Sequence, residues 1–127
     1  AGWDYSVGLG QINKRNFGEE SAFNKPHREE IFREMLAIGF DIRLFSFEVG
    51  GALQAVSLAL FGGRVYSYLN SGINWQEVSE LGTYVVVRNI EEAFLLGAEV
   101  FDAGVEDFNW KKRFHLDRTG QYRFCTV

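Results

Sequence analysis

Hydrophobic and polar positions along this chain fall into helical and alternating stretches divided by glycines. Ile31, Phe32, Met35 and Leu36 recur at helical spacing and predict an amphipathic helix. Lys25-Pro26 opens it, because proline suits a first helical turn, while Glu29 and Glu30 suit the positive end of the dipole. Gly39 ends it. From Asp41 to Glu48 the period falls to two, with Ile42, Leu44, Ser46 and Glu48 on one face and Arg43, Phe45 and Phe47 on the other. Gly50-Gly51 reads as a hairpin turn, Leu53–Phe61 as the returning strand and Gly62-Gly63 as a second turn. Arg64–Asn70 alternates again, placing Val65, Ser67 and Leu69 on one side and Tyr66, Tyr68 and Asn70 on the other.

A polar loop then runs to Leu81-Gly82. Val86, Ile90, Ala93, Phe94 and Gly97 come next at helical spacing, with Gly97 as the stop. Glu99–Ala103 makes a further short strand, Phe108–Phe114 is a cluster of aromatic and basic residues, and Gln121–Val127 can add a last strand. The predicted order is helix, three antiparallel strands, helix, strand, strand. A strand, a crossover helix and a second parallel strand bring the helix start and the loop after that second strand to one sheet edge, where α/β folds place ligands. Residues 1–24 read as an irregular lead-in with one strand at Tyr5–Ile12.

Composition narrows the class. At 127 residues and 46% hydrophobic, the chain can bury one core, so a single domain over 1–127 with its core in 25–127 is expected. The net charge of −4 points to no DNA partner, and any anion site must be local. No apolar run approaches the roughly 20 residues of a membrane span. The single cysteine, Cys125, fits a reducing, cytoplasmic setting, and the start at Ala1 reads as part of something longer. His27 and His115 stand at no metal-ligand spacing, so no metal is implied. Gly8–Asn13 (GLGQIN) is similar to a short motif of lytic transglycosylases, but the catalytic glutamate such enzymes need upstream is missing from Ala1–Tyr5.

Three stretches taken together, RLFSFEVGGALQAVSLALFGGRVYSYLNSG, LGTYVVVRNIEEAFLLGAEVFDAG and DFNWKKRFHLD, resemble the GNAT-like acyltransferases, in particular the FemAB- and CelD-like branch. The resemblance runs from Pro26 to about Asp117. It implies an α+β fold with a mixed, mainly antiparallel sheet and a central helix packed across it. It also implies an N-acyltransferase that moves an acetyl or aminoacyl group from a CoA thioester or aminoacyl-tRNA to a small-molecule or peptide amine. In that branch a glycine marks the start of the central helix, an Asp ends the next strand and an aromatic-Lys pair comes after it. Here these are Gly82, Asp102 and Trp110-Lys111. Only Gly82 stands where typical acetyl-CoA-binding members have a glycine-rich turn, and Glu80 lies beside it.

By the resemblance, Gly82, Thr83 and Tyr84 at the helix start face the donor, Asp102 assists the acceptor amine and Lys111 stabilises developing charge or holds a phosphate. Each has a plainer alternative. Asp102 can cap the loop after it, with Glu106 and Asp107 able to stand in for it, and Lys111 can be a solvated member of the run Lys111, Lys112, Arg113. Tyr66 and Tyr68 line an acyl groove or pack under the central helix. Trp110 and Phe108 wall a substrate channel or belong to the core. FemAB-like enzymes carry two such domains with the acceptor between them, so a two-lobed protein or a homodimer is expected. The competing class is a non-catalytic GNAT-like module forming half of a larger assembly.

Overall fold

The computed structural model describes residues 27–74, 80–104, 111, 113–120 and 122. The expected strands at Tyr5–Ile12 and Gln121–Val127, the Gly8–Asn13 motif, the Lys25-Pro26 helix opening, Glu106, Asp107, Phe108, Trp110, Lys112 and Cys125 lie outside the described residues. Those described form α1 (Arg28–Ala37), β1 (Ile42–Val49), β2 (Ala52–Gly62), β3 (Val65–Ile73), α2 (Leu81–Leu95) and β4 (Val100–Asp102). The sheet order is β1-β2-β3-β4. The first two pairings are antiparallel and β3–β4 is parallel. The expected α+β class, with a mainly antiparallel sheet and a helix across it, is what the chain adopts.

Glycines set the turns. Val49 pairs with Ala52 across Gly50 and Gly51, both at positive φ, which is the two-residue hairpin whose twist matches that of the strands. The second turn falls one residue later than expected. Gly62 pairs with Val65, so Gly63 and Arg64 are its central residues, and Arg64 is held at a φ of 63°. Its carbonyl accepts the N–H of Glu99 at 2.8 Å, which anchors the approach to β4.

Both helices end in the same way. Gly39 donates to the Leu36 carbonyl and Phe40 to that of Met35, while Gly97 donates to Phe94 and Ala98 to Ala93. Each glycine is left-handed, and the paired bonds satisfy carbonyls that the helix end would otherwise orphan.

The sheet has an apolar layer on each face. On one side Phe32 of α1 packs with Val56 and Leu58, joined by Met35, Ile42, Leu44 and Leu53. On the other, Leu81, Val85 and Val86 of α2 pack with Phe47, Ala55, Tyr68 and Ile73. Farther along α2, Ala93 meets Ala59 and Tyr66.

Three face assignments need correction. Ile31 is 48% exposed because α1 turns Phe32 and not its neighbour to the sheet. Phe94 is 81% exposed: the buried line of α2 runs Val85, Asn89, Ala93, and Phe94 lies about 100° further round the helix. Asn70 does not share a face with Tyr68. Leu58 pairs with Asn70 and Ala59 with Tyr68, so Leu69 is an extra, bulged residue and the alternation restarts beyond it.

A methyl group at Gly97 meets no atom within 4 Å but must sit at a φ of 74°. Gly97→Ala is therefore expected to cost about 1–2 kcal/mol through backbone strain alone. Urea unfolding of the two proteins checks this.

Candidate functional site

The parallel pairing is short. Val65, Tyr66 and Ser67 face Val100, Phe101 and Asp102, and the ladder stops there. Beyond it β3 runs on through the Leu69 bulge to Ile73 with no further pairing to β4. The point where β4 leaves β3 is where a parallel strand pair is expected to place a ligand. It lies at the carboxyl end of two parallel strands, beside the start of the helix that connects them.

Asp102 and Lys111, expected to act in chemistry, converge on one residue, Gly104. The Gly104 N–H donates to Asp102 Oδ1 at 2.8 Å. Lys111 Nζ donates to the Gly104 carbonyl at 3.1 Å. Gly104 has a φ of 83°, and a Cβ there would lie 3.8 Å from the Tyr68 carbonyl, so the loop passes along β3 where the strands part. The Asp-Ala-Gly sequence explains the turn: an aspartate accepts the amide two residues on, and glycine takes the left-handed conformation. Asp102 is exposed, whereas Lys111 is 8% exposed. Lys111 is thus not the solvated member of a basic run.

Gly82, Thr83 and Tyr84 form the first turn of α2. Gly82 and Thr83 are half-buried; Tyr84 is 59% exposed and meets Phe47 edge-on at 5.8 Å. The N-cap, Glu80, has a φ of 64° and supplies no side-chain cap, and the first turn contains no acidic residue. The Tyr84 N–H bonds the Glu80 carbonyl, so the amides of Leu81, Gly82 and Thr83 are those the helix itself does not use.

Tyr66 and Tyr68 pack under α2, the plainer of the two readings weighed for them. Phe101 stacks on both, at 5.6 Å from Tyr66 and 6.2 Å from Tyr68. Burial and then the nearby Glu92 carboxylate push the Tyr66 phenol well above its usual range. Burial pushes that of Tyr68 up to about 12. Tyr68 links both ends of the site, since its ring packs in the cluster with Leu81 and its carbonyl faces Gly104.

Sequence reasoning missed a buried polar group beneath α2. The Tyr66 hydroxyl donates to Asn89 Oδ1 at 2.6 Å, and Asn89 Nδ2 donates to Ser57 Oγ at 2.9 Å and to the Val85 carbonyl at 2.8 Å. One signal was available: Asn89 is the single polar position in the line Val85, Asn89, Ala93. An ionic cluster was missed as well. Arg43 of β1 and Arg88 of α2 flank Glu92 at 3.4 and 3.5 Å, and the Arg88 guanidinium lies 4.8 Å from the centre of the Phe45 ring.

Two other features carry no site. A concavity along α1 between His27 and Ile38 is far in the fold from the β3–β4 edge, and its charged groups, Glu30, Arg33 and Glu34, lie on exposed residues. Among the described residues no three His, Cys, Asp or Glu side chains are grouped to hold a metal ion, and no helix is long and apolar enough to cross a membrane.

A mainly antiparallel sheet with a helix crossing from β3 to a parallel β4 is the α+β arrangement of a GNAT-like domain. Residues 9–112 match the family model described as the acetyltransferase (GNAT) domain, and the chain belongs to that family. Its general chemistry is acyl transfer. No curated protein matches the chain.

The raised tyrosines predict an alkaline limit. A phenol with a higher pKa folded than unfolded contributes stability in full below the unfolded value near 10, and that stability is lost as pH rises toward the folded value. Unfolding free energy is expected to fall between about pH 10 and about 12. Tyr68→Phe should make this decline shallower, as read from urea melts at stepped pH.

Proposed function

We propose that this chain is an N-acyltransferase domain of the FemAB- and CelD-like branch, moving an acyl group from a CoA thioester to a small-molecule or peptide amine. The observation that carries this reading is the first turn of α2, which the Glu80 side chain does not cap, on the helix that joins β3 to β4, with Asp102 and Lys111 gathered on Gly104 where β4 leaves β3.

The residues present fit the phosphate end of such a donor. The amides of Leu81, Gly82 and Thr83 and the positive end of the helix dipole suit an anion. When bound, the thioester supplies an activated carbonyl and a thiol leaving group. Asp102, exposed at the strand end, would take the proton that the amine loses as its nitrogen bonds the acyl carbon and the carbon–sulfur bond breaks, and would return that proton to the departing thiolate. Lys111 holds the Gly104 carbonyl and keeps a positive charge at the mouth of the cleft. Thr83 and Tyr84 flank the donor end. Tyr68 forms the floor, with Tyr66 behind it.

The domain acts in the cytoplasm, with a second acyltransferase-like domain or a second copy completing the acceptor side. Aminoacyl-tRNA is the donor if acyl-CoA is not. A second reading, a non-catalytic half of a larger assembly, is favoured by Phe94 and Leu95, 81% and 78% exposed at the end of α2.

Two experiments test the proposal. Acyl-CoA at a hundredfold excess over its dissociation constant should stabilise the folded chain by about 2.7 kcal/mol in thermal melts. No shift with any CoA ester would retire that donor. Asp102→Asn keeps an oxygen to accept the Gly104 N–H while removing the base. Its stability should change by less than about 0.5 kcal/mol, and its kcat should fall by about 10²- to 10⁴-fold. Full activity in this variant would leave Asp102 as a loop cap and no more.

A further inference from the structure

The middle of α2 rests on small side chains. Ala55, Ser57 and Ala59 of β2 are fully buried beneath Val85 and Ala93. Small residues let helix and sheet approach closely but form shallow ridges, so contact of this kind resists separation better than it resists rotation or sliding. Directional bonds supply what apolar contact lacks.

Asn89 makes three of them, and none can be exchanged. The Val85 carbonyl only accepts, so Nδ2 must face it; Oδ1 is then left for the Tyr66 hydroxyl, and Ser57 Oγ takes the second Nδ2 hydrogen. Tyr66, Asn89 and Ser57 are all fully buried. One amide therefore ties α2 to β2 and β3 at once.

We propose that the Ser57–Asn89–Tyr66 triad is a positioning device for the donor site: it fixes the rotation and axial setting of α2, and with them the place of the Leu81–Thr83 amides relative to the β3 edge. The proposal rests on the reading of the α2 first turn as the donor end. Asn89 lies about two turns, roughly 12 Å, from that turn along a rigid helix. A slip of one residue would carry the amides about 1.5 Å along the axis, enough to break hydrogen bonds to a donor phosphate, which hold only near about 3 Å. None of the three side chains need touch the donor, so they act through α2.

The test removes the bonds without leaving a buried orphan. In the triple variant Ser57→Ala, Tyr66→Phe, Asn89→Leu, every polar member gives way to an apolar group of similar size, which can be nearly neutral for stability. The variant is expected to melt within a few degrees of the parent. Its KM for acyl-CoA should rise roughly tenfold to a hundredfold, the loss of one hydrogen bond to a charged group, with kcat changed less than about twofold. Amide hydrogen exchange of the free protein gives a second readout: Tyr84, Val85 and Val86 should exchange about tenfold faster while the β2 amides do not change. A purely structural role would lower the melting point and leave KM alone.

Parent-like KM and parent-like exchange would overturn the proposal. If the parent binds no acyl-CoA but exchange in α2 still rises, the donor reading fails and the setting of α2 by the triad stands. If exchange is unchanged, the triad does not set the helix, whatever the donor. Should the triple variant fail to fold, Tyr66→Phe alone loses one of the bonds and should show a smaller change in the same direction; no change there counts against the proposal.

Discussion

The site depends on how soon β3 and β4 stop pairing. β3 has nine residues and β4 three, so the parallel ladder ends at Ser67 and Asp102. Each strand carries its own cause for the parting. On β3 the Leu69 bulge shifts the register against β2, and bulges raise local twist and bend a strand. On β4 the Asp102-Ala103-Gly104 turn, closed by the Gly104 amide and held from its other side by Lys111, carries the chain off the sheet. Longer pairing would carry β4 along β3 toward the start of α2.

The two faces of the sheet are built differently. The α1 face is ordinary apolar packing around Phe32, Val56 and Leu58. The α2 face combines small residues, an aromatic stack and a satisfied polar triad, with half-exposed ion pairs around Glu92 at its margin. Such exposed pairs contribute little each, about 0–1 kcal/mol. The buried triad matters more, because losing one member leaves a group without its partner at a cost of about 1–3 kcal/mol. The helix that the triad holds to β2 and β3 is also the one that joins β3 to β4.

Much of this fold is legible in the residues. Alternation in Asp41–Glu48, paired glycines at 50–51 and near 62–63, and stops at Gly39 and Gly97 specify a meander between two helices. Less visible are features set by three-dimensional register. Nothing around Leu69 marks a bulge, so simple alternation puts Asn70 on the wrong face. An apolar count favours Phe94 over Asn89 as a core residue, yet the turn of the helix buries the amide and exposes the ring. Lys111 looks solvated in Lys-Lys-Arg because the Gly104 carbonyl that receives it lies seven residues away. The family resemblance singles out Asp102 and Lys111, but not their convergence on Gly104.

The measurement that bears most directly on the cleft is a titration of the labelled protein with CoA, monitoring backbone amide shifts by nuclear magnetic resonance. Binding where β3 and β4 part predicts the largest changes at Leu81, Gly82 and Thr83 and along Leu69–Ile73, with a smaller change at Gly104. Changes confined to the outer face of α1, or to Phe94 and Leu95, would contradict that placement and mark a different surface as the functional one.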